Sequence, residues 1–199
     1  MNRNAMFLAA LLLTACSGVE NPDGEGNENE VISTITLTFA PAAGDPLVFA
    51  WTDPENDGSP VIDPIVLADA DDYTLSVAFT NDLADPPEDI TAEVEAESDE
   101  HQVFFTGTAV SGPAGVGADA VLTHAYADTD ADGAPVGLVN DVVTTGAGSG
   151  TLIVTLRHLP PQNDTPVKTA TLAEDVATGG IAALPGASDA QVTFDLSVE

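Results

Sequence analysis

The sequence predicts an all-β fold, an antiparallel β-sandwich of about seven to nine strands with at most one short helix. Segments in which every second residue is apolar recur along the chain, which indicates strands with one buried face. Clusters of Gly, Pro, Asn and Asp separate these segments, as turns do in all-β proteins. Only one segment has helical character.

Eight segments show the two-residue period. The last shows it most fully, because every second residue from Val192 to Val198 is apolar. In chain order the predicted strands are Val31–Phe39, Leu47–Trp51, Tyr73–Phe79, Gln102–Thr106, Ala120–Ala127, Gly137–Thr144, Thr151–Leu159 and Gln191–Val198.

The helical candidate is Asp89–Glu100, where Asp89 can cap the first turn and Ile90 and Val94 share a face. The same region is densely acidic and has no basic residue. We interpret it as a solvated, salt-screened surface, with a cation-collecting surface as the alternative.

Residues Leu67–Val77 resemble the tyrosine corner of immunoglobulin-like and fibronectin-like domains. In that motif a Tyr near the start of a strand, here Tyr73, forms a hydrogen bond back to an upstream turn. The resemblance implies that the sandwich is immunoglobulin-like, although Leu75 stands where antibody domains have a cysteine.

The N-terminus has Arg3, an apolar run from Ala5 to Ala15, and Cys16. The run is about half of the ~20 residues that a transmembrane helix needs, so a cleaved export signal is favoured over that alternative. Residues 13–16 (LTAC) resemble the lipobox of bacterial lipoproteins. The resemblance implies a signal peptide over residues 1–15, lipidation of Cys16, and attachment to a membrane, which we expect to be the outer one. Residues 16–30 are then a flexible acidic tether, and residues 31–199 the β domain, facing the periplasm or the cell surface.

The charge is strongly negative: 33 acidic residues and 3 basic ones give a formal net charge of −30. Such self-repulsion calls for high salt or bound divalent cations, and the composition is typical of proteins from halophilic or marine bacteria. Nucleic acid is excluded as a partner, because phosphate binding needs Lys and Arg. Cys16 is the only cysteine, so the folded part has no disulfide.

Two acidic loops follow predicted strands and have the spacing of calcium ligands. In the first, acids at alternate positions precede Gly133, but position twelve is Val139 instead of the Glu of an EF-hand. The second has Pro64 at position twelve. Calcium-stabilised loops and plain acidic turns are both open. The candidate ligands are Asp128, Asp130, Asp132 and Asp141 in the first loop, and Asp53, Glu55 and Asp57 in the second.

All three histidines lie in phase with apolar residues of their segments, so each is predicted to point towards the core. They are His101, His124 and His158, and Glu97 lies four residues before His101. Such a set can bind zinc or copper. Ordinary hydrogen-bonded core histidines are the alternative.

Four stretches resemble a group of uncharacterised bacterial lipoproteins often described as "type 1 periplasmic binding fold superfamily protein". They are Ile32–Phe39, Asp89–Phe105, Asp128–Leu138 and Leu156–His158. No activity comes with that group, and the doubly wound α/β fold that its description implies disagrees with the strand periodicity seen here.

Metalloprotease, nucleophile-elbow and P-loop motifs do not occur in the sequence. We therefore expect no enzyme but a lipid-anchored envelope binding or accessory module, attached to a membrane and binding a protein or small-molecule ligand. A divalent-metal-capture lipoprotein that uses His and acidic residues is the alternative.

Overall fold

Twelve strands form two β-sheets within residues 30–199, the part of the chain that the computed structural model describes. Eight strands are long and coincide with the eight predicted segments, and four have only two or three residues. The strands are β1 (Thr34–Pro41), β2 (Leu47–Thr52), β3 (Val61–Ile62), β4 (Ile65–Leu67), β5 (Asp72–Asn81), β6 (Glu88–Asp89), β7 (His101–Thr106), β8 (Val110–Ser111), β9 (Leu122–Tyr126), β10 (Val139–Thr144), β11 (Gly148–His158) and β12 (Ala187–Val198).

The larger sheet has the strand order β3-β2-β1-β5-β10-β9-β8, with β6 paired to β5, and it curls into half of a barrel. The smaller sheet has the order β4-β12-β11-β7. The predicted signal peptide, Cys16 and all but the last residue of the predicted tether lie outside the described residues.

The main core lies between the two sheets. It is formed by the inward-facing residues that the two-residue period predicted, such as Leu37 of β1, Leu75 of β5 and Phe194 of β12. Burying these side chains is the main stabilising contribution to the fold, at about 25 cal/mol per Å² of apolar surface.

Helix α1 (Ile90–Ala96) closes one end of this core with Ile90 and Val94, both buried. The predicted cap is confirmed, because the Asp89 carboxylate accepts a hydrogen bond of 3.3 Å from the backbone N–H of Ala92. The helix ends at Ala96, earlier than predicted, so Glu97 and His101 do not share a helix.

The prediction of at most one short helix was wrong. A second helix, α2 (Leu172–Gly179), is followed by a 3-10 turn over Ile181–Ala183, and α2 covers the outer face of the smaller sheet. Its apolar stripe is only Leu172, Ala173 and Val176, too short to stand out in a sequence rich in Ala and Gly. Among residues 30–199 no helix is long and apolar enough to cross a membrane.

Two details differ from a purely antiparallel arrangement: β4 pairs with β12 and β8 pairs with β9 in parallel. The hydrogen bond expected of the tyrosine corner is present, because the Tyr73 hydroxyl accepts a bond of 3.1 Å from the backbone N–H of Ala68. This bond fixes the turn between the smaller sheet and β5.

Candidate functional site

Two histidines stack at the α1 end of the core. His101 is the first residue of β7 and His158 the last of β11, and the antiparallel register places them opposite each other. Their ring centroids are 4.6 Å apart and the ring planes differ by 8°. The predicted phase of both residues is therefore confirmed.

The third member of the cluster, Asp189, owes its position to a β-bulge. In a regular strand Asp189 would face the same way as Gln191 and Thr193, away from the core. The pairing of β11 with β12 shifts register between Leu156 and Arg157, and Asp189 is the residue without a partner. Such a bulge can re-aim a side chain, and the Asp189 carboxylate turns inwards, where its side chain has no solvent exposure.

The cluster has a definite pattern of contacts. His101 Nδ1 lies 3.2 Å from the carbonyl oxygen of Glu97 and 3.9 Å from its carboxylate. Nε2 of the same ring lies 3.9 Å from Oδ2 of Asp189. His158 Nε2 lies 3.6 Å from a carboxylate oxygen of Glu100. Both oxygens of Asp189 and Nδ1 of His158 are buried without a hydrogen-bond partner.

Burial dominates the electrostatics of this cluster. It raises the pKa of Asp189 to about 6, and the charges of His158 and Arg157 oppose the rise only partly. Burial also lowers the pKa of His101, against the hydrogen bond to the Glu97 carbonyl. Near pH 7 the favoured state therefore pairs an ionised Asp189 with a neutral His101, an arrangement that is costly without a nearby cation.

Arg157 holds the segment that leads into the bulge. Its guanidinium donates to the carbonyl oxygens of Leu184, Pro185 and Gly186 at 2.7–2.9 Å. Gly186 has a φ of +76°, and a Cβ there would lie 1.9 Å from the carbonyl oxygen of His158. Only glycine permits this close approach, so the start of β12 is fixed beside the histidine stack.

Glu30, the first described residue, also lies at this end. The pKa of Glu30 is raised. Burial is the largest cause, and the negative charges of Glu93 and Asp189 add to it. The described part of the chain therefore begins beside the cluster.

The third histidine is not part of the cluster. His124 on β9 is buried, its ring centroid lies 4.5 Å from that of Phe105, and its Nε2 lies 2.9 Å from the side-chain oxygen of Asn140. Phe105 is four residues along β7 from His101, a distance of about 13 Å. Burial lowers the pKa of His124, so its ring is a neutral, hydrogen-bonded core group.

In the first predicted calcium loop, two of the candidate carboxylates already have partners within the protein. Asp128 accepts backbone N–H groups of residues 137, 138 and 139 at 2.7–3.0 Å. Asp130 accepts from the backbone of Asp132 and forms an ion pair of 2.8 Å with Lys168. Asp132 and Asp141 are exposed, so a calcium site here stays a prediction.

In the second loop Asp53 is buried and accepts the backbone N–H groups of Asp57 and Gly58, at 3.2 and 2.9 Å. Glu55 and Asp57 are exposed. The loop has the geometry of a turn stabilised by its own aspartate, and calcium here also stays a prediction.

Sequence reasoning missed Asp189 and the two buried basic residues, and it placed Glu100 only within the acidic segment. Nothing in the two-residue period signals a bulge, and the partners of Lys168 and Arg157 are distant in sequence. Within residues 30–199 no three His, Cys, Asp or Glu side chains stand in a ready arrangement around one metal ion. Comparisons of the chain with protein-family models, curated proteins and solved structures found no match.

Proposed function

We propose that the chain is a lipid-anchored, non-catalytic binding module of a bacterial envelope, held on the outer membrane through Cys16 and facing the periplasm or the exterior. The observation that best supports a binding role is the charge distribution. Lys168 and Arg157, the only Lys and Arg of the described domain, are both 9% exposed. Its exposed carboxylates therefore have no basic neighbours on the surface.

A surface charge of one sign selects partners by complementarity. The partner then presents basic groups, or divalent cations bridge two acidic surfaces. On an ordinary protein surface, neighbouring positive and negative charges largely cancel each other's potential. The exposed carboxylates of the described domain have no such neighbours.

The fold supports a narrower structural proposal, an immunoglobulin-like sandwich. Two sheets enclose one core, and the Tyr73 hydroxyl forms the hydrogen bond expected of the tyrosine corner. Domains of this architecture commonly serve as binding modules, which agrees with the proposed role by analogy alone.

The attachment is tested with the full chain and a Cys16→Ala variant expressed in a Gram-negative host. We expect the wild type in the membrane fraction, with an intact mass that shows the acyl groups, and the variant released from it. An unmodified wild type in the soluble fraction would overturn the proposal.

The binding mode is tested by crosslinking intact cells that carry the wild type, in 0.1 M and 1 M NaCl. The screening length falls from about 10 Å to about 3 Å between these salt concentrations. Complexes held by opposite charges should therefore weaken strongly. A crosslinked complex that is unaffected by salt would show that the acidic surface does not carry the binding.

A further inference from the structure

The buried carboxylate of Asp189 is the least satisfied polar group of the cluster. Its side chain has no solvent exposure, and neither oxygen has a hydrogen-bond partner. Buried carboxylates are almost always hydrogen-bonded, paired with a cation or bound to a metal, because an isolated buried charge is strongly unfavourable. The charge of Arg157 offsets the burial of Asp189 only in part, and no group among residues 30–199 donates a hydrogen bond to either oxygen, so both oxygens are open to a cation.

His101 presents an unprotonated nitrogen to this carboxylate. A carbonyl oxygen only accepts, so the 3.2 Å contact with the Glu97 carbonyl places the ring proton on Nδ1. In the neutral ring, Nε2 then has a free lone pair, and it faces Oδ2 of Asp189 at 3.9 Å. A histidine that donates its other N–H to a backbone carbonyl is the usual arrangement of a metal ligand.

The distance between His101 Nε2 and Asp189 Oδ2 fits an intervening ion better than a direct hydrogen bond. At 3.9 Å the two atoms are too far apart for a hydrogen bond. Two ligands at about 2.0–2.1 Å from a tetrahedral zinc ion lie about 3.3 Å apart. The two side chains need to approach by only about half an ångström to share such an ion.

His158 can supply the third ligand after a rotation of its side chain. The rings are nearly parallel, and lone pairs lie in the ring planes, so one ion cannot bind both rings as they are stacked. Rotation of His158 breaks no hydrogen bond, because Nδ1 has no partner and Nε2 is 3.6 Å from Glu100.

We propose that His101, Asp189 and His158 bind a divalent transition-metal ion such as zinc or copper at the α1 end of the core. The donor set of imidazole nitrogens and carboxylate selects this class over calcium, which takes six to eight oxygen ligands. The site refines the metal-capture alternative: it adds Asp189 and leaves out His124 and the Glu97 carboxylate. It does not depend on the proposed anchoring or on a protein partner.

The test measures zinc affinity of the full-length protein in detergent micelles by competition with a chromophoric chelator, in 1 M NaCl to suppress binding by surface carboxylates. The variants are Asp189→Asn and His158→Gln. The matched control is His124→Gln, a buried histidine outside the cluster. We expect each cluster variant to lose about 100-fold or more in affinity, since removal of outer-shell partners alone costs 10–100-fold. The control should bind like the wild type.

Cobalt(II) absorption supplies a second readout, since ligand-field bands report coordination by the protein directly. Equal affinity in the wild type and both cluster variants would overturn the site, and so would an equal loss in the His124→Gln control. Each variant is first shown by circular dichroism to keep its β structure. The Cys16→Ala protein should bind zinc like the wild type, so a failure of the metal site and a failure of the anchoring are told apart.

Discussion

Two buried aspartates of the domain have opposite surroundings. The Asp130 side chain is 3% exposed, pairs with Lys168 and accepts backbone N–H groups from Asp132 and Ala134. The Asp189 side chain is fully buried, and neither oxygen has a hydrogen-bond partner. The fold supplies hydrogen bonds and an ion pair to the Asp130 carboxylate. It turns the Asp189 carboxylate inwards but supplies no hydrogen bond to it.

Under the proposed metal site, the difference separates an acid that stabilises the fold from an acid that binds a ligand. Lys168, the only lysine of the chain, is placed where a calcium ion was predicted, and it also donates to the carbonyl oxygen of Ser98. At the other site no side chain of the described residues donates a hydrogen bond to the carboxylate, and Arg157 acts on it only through its charge. A carboxylate that lowers local stability in this way is consistent with the proposed ligand-binding site, because such sites commonly break the rules that stabilise a fold.

The largest effect is expected for Lys168→Met, which leaves the Asp130 carboxylate buried without a cation. We expect a loss of about 3–5 kcal/mol in the free energy of unfolding. Denaturant unfolding of the wild type and the variant at equal salt measures it. The added change Asp130→Asn should restore part of the loss, and a loss below about 1 kcal/mol would contradict the comparison.

The opposite sign is expected for Asp189→Asn in protein stripped of metal by a chelator. The change removes a buried charge that has no hydrogen-bond partner and is only partly offset by Arg157, so the free energy of unfolding at pH 7.5 should rise by about 1–3 kcal/mol. The same denaturant series measures it. A variant less stable than the wild type would show that Asp189 is already paired.

The pH dependence of these two aspartates should also be opposite. The pKa of Asp189 is raised to about 6 in the fold, so the folded protein binds more protons than the unfolded one between about pH 4 and 6. The advantage of Asp189→Asn should therefore shrink as the pH falls through this range. Burial is the largest single influence on the pKa of Asp130 and raises it, but Lys168 and the backbone N–H groups of Ala134 and Asp132 together lower it. The stabilisation by Asp130 therefore persists to lower pH and is lost only below about pH 4.

That difference is checked by unfolding the wild type, Asp189→Asn and Lys168→Met between pH 3 and 8. The Asp189 effect should disappear on acidification before the Lys168 effect does. If both decline over the same range, the contrast between the two sites is wrong.

The smallest effect is expected for Tyr73→Phe, which gives the scale of one neutral hydrogen bond. The backbone N–H of Ala68 loses its acceptor, and we expect a loss of about 1 kcal/mol. Thermal unfolding measures it, with the exposed Thr123→Val as a control for an unrelated surface change. No measurable loss would mean that water replaces the hydroxyl.

The strands were predictable because burial of one face of a strand makes every second residue apolar. For the same reason the inward direction of His101 and His158 was predictable. The start of α1 was predictable from Asp89, whose carboxylate can bond a free N–H of the first turn.

The rest depended on geometry that the sequence does not encode locally. A bulge shifts Asp189 to the opposite face, and no residue near it signals the shift. Acidic spacing predicted calcium ligands, but the same spacing lets Asp128 and Asp53 accept backbone N–H groups of their own loops. The residues that decide between these uses, above all Lys168, are distant in sequence.

The burial of both basic side chains has a practical consequence for proteolysis. Trypsin cuts only after lysine and arginine, so within residues 30–199 its sole targets are the bonds after Arg157 and Lys168, two residues that are each only 9% exposed. The native domain should resist digestion, and the peptide covering residues 158–168 should be released only when the domain opens. Its rate of appearance then reports opening of the domain without any added label.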